Sequence, residues 1–251
     1  LIKEVDDQVF LRRLATKHRV ASAASLGILS LDADPADSQW TTELATGNED
    51  STMALGKRAL FPHPLAKRIK VSNTLLRLSS IGVEALVRAR LAYKFAITEE
   101  KAFLTGTGAA EPLGVFTASA TGISTARDLS TDNTTTNITA DNLVRQTMNI
   151  KGDYAANGQW LLHRDGVLRA RLLKDGEGQY MWRQGIEPGQ PNRLLSYPIL
   201  QSEHVPNVWT TGLYVGLFGD FSFYHIADAL DMTVQRLVEL YAETNQIGFI
   251  G

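Results

Sequence analysis

Residues 79–116 read SSIGVEALVRARLAYKFAITEEKAFLTGTGAAEPLGVF, and the order of elements in this stretch decides the fold. Proline is absent from 81 to 103, and Ser79 or Ser80 can cap the start of a helix. Ile81, Ala85, Ala89, Ala92, Ala96 and Phe103 recur at helical spacing. Arg88, Arg90, Lys94, Glu99 and Glu100 fall mostly on other faces. The pattern predicts one helix of about 23 residues, a rod on the order of 35 Å, ended by Gly106 as a left-handed cap. A short apolar strand, Leu113-Gly114-Val115-Phe116, is expected next. Thr105-Gly106-Thr107-Gly108 invites a phosphate-loop reading, but a loop that cradles phosphate follows a strand and opens a helix. Here the order is helix, glycines, strand, so the glycines read as a structural turn.

Upstream, residues 1–37 mix apolar and basic positions with small ones, as in a short helix followed by an extended arm. From Ser38 to Ser72 a long hairpin is expected. Trp40-Thr41-Thr42-Glu43-Leu44 has strand composition, Gly47-Asn48-Glu49-Asp50-Ser51 has turn chemistry, and Pro62-His63-Pro64 breaks the return leg. Its charges are segregated: Glu43, Glu49 and Asp50 come first, then Lys57, Arg58, Lys67, Arg68 and Lys70. Such a hairpin has no core of its own, so it is either a floppy loop or a projection that packs on something else, and another subunit is one candidate.

Downstream, residues 130–137 form a polar linker and mark a domain boundary. An α/β alternation follows. Leu143, Thr147, Ile150 and Tyr154 share a helical stripe, Trp160-Leu161-Leu162 reads as a buried strand, and Asp165 can cap a helix running through Leu173. Gly176-Glu177-Gly178 turns the chain into Gln179-Tyr180-Met181-Trp182. Leu213 to Phe218 is apolar on both faces and is expected at the centre of a sheet. Phe223 to Ala227 and Met232 to Leu240 read as strands, the last returning toward the first domain.

The 251 residues are 44% apolar and 21% charged, ordinary globular composition with room for a sizeable core. There is no cysteine, which excludes disulfides and thiolate metal sites. No run reaches the roughly 18 apolar residues that span a bilayer, so no membrane partner is expected. Net charge is −2, without the basic excess or stripe of a protein that grips nucleic acid through phosphates. The first residues, Leu1 to Asp7, include no Met and no signal pattern, so the start reads as an internal point.

Catalytic motifs are absent. His163-Arg164-Asp165 with Gly219-Asp220-Phe221 superficially resembles a kinase catalytic loop and metal motif, but Ala170 stands where Asn is needed. Gly-x-Ser-x-Gly does not occur. The five histidines, His18, His63, His163, His204 and His225, have no ligand spacing. Glu99 and Glu100, adjacent on a helix, point about 100° apart and read as a solvated face. No catalytic, cofactor-binding or metal-binding residue is assigned, and no cofactor is expected.

At 102–116, AFLTGTGAAEPLGVF, the sequence resembles the signature that follows the long helix in tailed-bacteriophage and prophage major capsid proteins, which share the Hong Kong ninety-seven type fold. Further similarity lies at Trp40 to Glu43, Phe61 to Leu65, Val71 to Leu76, Leu172 to Trp182, Tyr197 to Ile199, Phe218 to Phe221 and Tyr241 to Gln246. The resemblance implies an α+β fold. A peripheral domain carries the spine helix and a β-sheet, an axial α/β domain follows, and an extended β-hairpin loop projects. The implied division is 1–37 arm and start of the peripheral domain, 38–72 extended loop, 73–130 peripheral domain, 131–225 axial domain and 226–251 return. Members usually continue past the Asn-Gln-x-Gly-Phe region, so the peripheral sheet is expected to lack a C-terminal strand.

The implied function is a non-enzymatic coat protein whose pentamers and hexamers build an icosahedral shell enclosing double-stranded DNA, with portal and scaffolding proteins as further partners. It belongs to the virion and would be assembled in the bacterial host cytoplasm. The structural motif comprises Gly106, Gly108, Pro112, Gly114, Gly219 and Asp220. Candidate intersubunit contacts are Glu43, Glu49, Asp50, Lys57 and Arg58, and some members crosslink subunits, for which Lys57 and Asn245 are the candidates. Two other classes are weighed: a nanocompartment shell of the same fold that encloses cargo enzymes, and a small-molecule enzyme, which needs a pocket the sequence does not indicate.

Overall fold

A computed structural model describes residues 10–20, 26–33, 35–37, 40, 51–78, 82–119, 123, 125–129, 138–181, 192–210, 212–229 and 233–251. In chain order the first elements are α1 (Leu11–Leu14), β1 (Thr16–Arg19), β2 (Leu26–Ala33), β3 (Ala54–Leu60) and β4 (Arg68–Ser72). Four helices and a strand follow: α2 (Asn73–Leu78), α3 (Val83–Thr105), α4 (Ala140–Met148), α5 (Gly152–Ala155), then β5 (Gln159–Leu162). The remainder is α6 (Arg164–Arg171), β6 (Arg193–Leu194), β7 (Tyr197–Gln201), β8 (Gly216–Gly219), β9 (His225–Asp228), β10 (Gln235–Leu237) and β11 (Gln246–Ile250). The chain divides into two compact units, one of residues 1–16, 63–225 and 232–251, the other of 17–62 and 226–231. Among the described residues no helix is long and apolar enough to cross a membrane.

Two hydrophobic clusters organise the sheets of the first unit among the described residues. The expected long helix is α3, 23 residues in one run, but its buried face is not the alanine stripe. Val83, Val87, Leu91 and Phe95, four apart, pack with Val71, Ile247 and Phe249, while Ala85 and Ala89 are exposed. Large side chains remove more apolar area from water than alanine does, so they decide which face turns inward. The sheet beneath has the order β10-β11-β4, all antiparallel. Val71 stands opposite Ile247 and Ile69 opposite Phe249, so alternate residues of both strands meet the helix. Arg236, opposite Phe249, reaches Glu84 of α3 at 3.7 Å.

The second core surrounds Trp160, Leu162, Val167, Leu194 and Phe218. Its sheet runs β6-β7-β5-β8, with β5 parallel to β7 and antiparallel to β8. The expected buried strand at Trp160 to Leu162 is β5. Leu213 to Phe218, expected to be central, ends in an edge strand instead, because β5 and β7 take the middle; Leu213 is exposed. α6 is capped by His163, whose Nδ1 accepts the Asp165 N–H at 3.0 Å, and not by Asp165. Asp165 accepts from Arg169 at 2.9 Å and from Trp209 at 3.0 Å, and the Arg169 hydrogen bond holds its carboxyl below the usual carboxylate range. The stripe drawn through Tyr154 spans two helices, since α4 ends before Asn149 and Tyr154 belongs to α5.

β6 and β7 are joined by a two-residue turn at Leu195-Ser196, with φ of 51° and 71°. Two successive positive φ values mark a type I′ turn, which suits Asn-Gly; a branched side chain there is strained. Leu195→Asn with Ser196→Gly is expected to raise subunit stability by about 1 kcal/mol or more, read as a shift in the urea unfolding midpoint. An unmoved midpoint would contradict the strained turn.

Candidate assembly surface

The second unit is built around a ribbon that cannot bury itself. β2 and β3 pair antiparallel, with Leu29 opposite Lys57 and Ile28 opposite Arg58. Opposite residues share a face, so Leu26, Ile28 and Leu60 lie on one side, and Leu29, Leu55, Lys57 and Ala59 on the other. The first side is half-covered. The second is open: Leu29 is 71% and Leu55 56% exposed. Met53, Phe61 and Trp40 are exposed as well. Burying an exposed leucine stabilises by about 1.5–3 kcal/mol, so a ribbon left like this gains from being covered.

The leg expected from Trp40 to Leu44 lies, Trp40 apart, outside the described residues; β3 is found paired with Leu26 to Ala33, within the segment read as an arm, a pairing the sequence reading missed. The alternation LGILSL against ALGKRAL was the signal that would have found it. Within this pair of strands Lys57 and Arg58 stand opposite Leu29 and Ile28. Glu43, Glu49 and Asp50 lie outside the described residues, as do Ser79, Ser80, the linker at 130–137 and Trp182.

The glycine motif forms a device that closes the C-terminus of α3. Gly106 is extended (φ −61°, ψ 147°), so it is no left-handed cap; the positive φ belongs to Gly108, at 80°. The chain turns and runs back over the last helical turn. The N–H groups of Val115 and Phe116 donate to the Phe103 and Leu104 carbonyls, both at 2.9 Å, satisfying acceptors that a helix end leaves open. Leu113 to Phe116 is therefore a capping segment and not a strand. It requires Gly114, since a Cβ there would stand 2.5 Å from the Leu104 carbonyl oxygen. Gly106 is similarly confined, between the carbonyls of Ala102 and Pro112. Tyr224 locks the loop by donating to the Leu113 carbonyl at 2.8 Å, and burial raises its phenol above the ordinary value. Asp220 caps a short 3-10 turn, its Oδ1 accepting the Ser222 N–H at 2.9 Å. No atom crowds the Cβ position of Gly219.

The reading of Glu99 and Glu100 as a solvated face is corrected for Glu100. It is fully buried and accepts a 2.7 Å hydrogen bond from the Ser202 hydroxyl, itself buried; Glu99 pairs with Arg12 at 3.1 Å. The bond ties the end of α3 to the loop after β7. A buried carboxylate needs such a donor, and the donor comes from 102 residues away, beyond any local pattern. Asn245 is exposed and left-handed, with φ 53°, and its Oδ1 accepts from Asn73 at 2.8 Å. Asparagine tolerates that conformation, so the turn accounts for the residue.

Among the described residues no group of three or more His, Asp or Glu stands together as a metal site. A small recess is lined by Leu14, Asn157, Gln159, Asp220, Phe221 and Ser222, where the Asp220 carboxylate is occupied by the Ser222 N–H. The feature that asks for a partner is the open ribbon.

A model of the phage capsid family matches residues 1–251. No curated protein matches the chain. Among solved structures, the capsid of a native GTA particle, computed with C5 symmetry, is 26% identical, with a TM-score of 0.81 over 100% of this chain and 86% of that one. The capsid of the empty GTA particle is also 26% identical, with a TM-score of 0.80 over 100% and 85%. The structure from Microbacterium phage Oxtober96 shares the fold at 18% identity, with a TM-score of 0.71 over 100% and 84%.

The capping loop gives a direct test. Gly114→Ala is expected to cost about 1–3 kcal/mol through the clash with the Leu104 carbonyl. Gly176→Ala, where nothing lies within 4 Å, should stay within about 0.5 kcal/mol. Equal unfolding midpoints for the two variants would contradict the capping geometry.

Proposed function

The chain belongs to the phage capsid family and is a major capsid protein of a phage-like particle, and from that premise we propose that its copies close into an icosahedral shell around double-stranded DNA. The single observation that supports this beyond the family match is the open face of the β2–β3 ribbon, with Leu29 and Leu55 uncovered. A two-stranded ribbon is marginal alone. A neighbouring copy that covers it joins two subunits, and closed point-group symmetry repeats the contact around each ring.

Lys57, on the open face beside Leu29, and Arg58, on the opposite face with Ile28, act as steering charges. We assign the acids Glu43, Glu49 and Asp50 as their counter-charges on adjoining copies. The division proposed from sequence is retained, with β2 joined to the projecting ribbon: peripheral region 73–130 with return 226–251, and axial region 131–225. The work of the subunit is association, with no catalytic step. Portal and scaffolding proteins are the further partners, and assembly takes place in the host cytoplasm before the virion is released. A covalent Lys57–Asn245 link between copies, in which the lysine amine displaces ammonia from the asparagine side-chain amide to form an isopeptide bond, is a narrower proposal, consistent with the exposure of both side chains.

Lys57→Glu with Arg58→Glu is expected to reduce shell yield at least tenfold, by negative-stain counting, while circular dichroism and the unfolding midpoint of the subunit stay unchanged. Shells at wild-type yield would remove the ribbon from the interface. Denaturing gels of wild-type shells decide the covalent link in the same experiment: a subunit ladder supports it and a single monomer band excludes it.

A further inference from the structure

The sequence-wide charge balance shows no basic stripe, but the folded α3 isolates one. Arg90, Lys94, Thr98, Lys101 and Thr105 follow one another at intervals of four, four, three and four, so they share one side of the helix. All five are exposed. No acid falls on that side: Glu84 and Glu99 project elsewhere and are engaged by Arg88 at 2.7 Å and Arg12 at 3.1 Å, while Glu100 is buried. The two threonine hydroxyls are turned inward, donating to the Lys94 and Lys101 carbonyls at 2.8 and 3.1 Å. They leave the cations as the only charged groups of the stripe. Among the described residues neither Lys94 nor Lys101 makes an ion pair. Arg90 and Lys94 flank the Tyr93 ring, 5.7 and 5.6 Å from its centroid, a contact that restrains both long side chains.

From Arg90 to Lys101 the helix axis advances about 16 Å, close to five base-pair steps of duplex at about 3.4 Å each. A straight row of cations with no interspersed acid matches a rod that carries one negative charge per roughly 1.7 Å. Its charged groups are donors only, suited to phosphate oxygens. We propose that the Arg90–Lys94–Lys101 stripe is the surface through which the shell touches the phosphodiester backbone of the DNA it encloses. This rests on the capsid reading and deepens it: the near-neutral chain encloses DNA broadly and contacts it locally, without sequence preference. The other candidate occupant is an acidic segment of a second copy, and the experiment separates the two.

The test compares Arg90→Gln/Lys94→Gln/Lys101→Gln with a control of equal charge change, Lys151→Gln/Lys174→Gln/Arg193→Gln, both in the full chain. Dissociated subunits are titrated with a short random-sequence duplex across a salt series, and each variant is also assembled and imaged. The expected result is at least tenfold weaker duplex binding for the stripe variant at low salt. Its log–log salt slope should be shallower by about two to three, at about 0.9 per lost phosphate contact, while the control binds as wild type and both form normal shells. Duplex binding equal to the control's would overturn the proposal. So would loss of shells in the stripe variant alone, which would make the stripe a contact between copies. Failure of the wild-type protein to form shells would count against the capsid reading, and it is scored apart from the titration.

Discussion

A two-stranded ribbon has two faces and only one neighbour strand, so it depends on something outside itself to cover its apolar side. In this protein the covered side holds Leu26, Ile28 and Leu60, and the open side holds Leu29 and Leu55. The hydrogen-bond ladder fixes the register and thereby fixes which residues are left outside. A lone subunit leaves Leu29 and Leu55 in water. The rest of the subunit supplies rigid elements: a sheet clamped on α3, a second sheet around Trp160, and a glycine loop that seals the end of the helix.

Rigidity at the end of α3 comes from two kinds of contact. The glycine loop satisfies helix carbonyls from the backbone, and Glu100 receives the Ser202 hydroxyl inside the protein. Both restrain the last turn against the segments that follow, because an unsatisfied buried carbonyl or carboxylate is costly. The apolar row on Ile247 and Phe249 restrains the first half of the same helix. A shell subunit has to hold its shape while its edges adapt, and these contacts place the stiffness along one rod.

Much of this was legible in the sequence, for identifiable reasons. The length of α3 was visible because 23 residues without proline have few alternatives, and β5 was visible because Trp160 to Leu162 is apolar throughout. The family resemblance at 102–116 was carried by glycines whose positions are sterically compelled, as Gly114 shows. What failed was anything decided at a distance. The alanine stripe was preferred over Val83, Val87, Leu91 and Phe95 because spacing alone does not weigh side-chain size. Glu100 was read as solvated because Ser202 is remote in sequence. The pairing of Leu26 to Ala33 with Ala54 to Leu60 was missed because turn-forming residues at 47–51 drew attention from the alternation at 26–33. The cationic stripe was missed because whole-chain charge counting averages it away.

The central claim is that this subunit is completed by copies of itself. Size-exclusion chromatography with light scattering, paired with negative-stain microscopy of the same fractions, tests it most directly. The account predicts rings or closed shells of many subunits, with the ribbon protected from hydrogen exchange in the shell and open in the dissociated subunit. A strict monomer at every salt and protein concentration would contradict it.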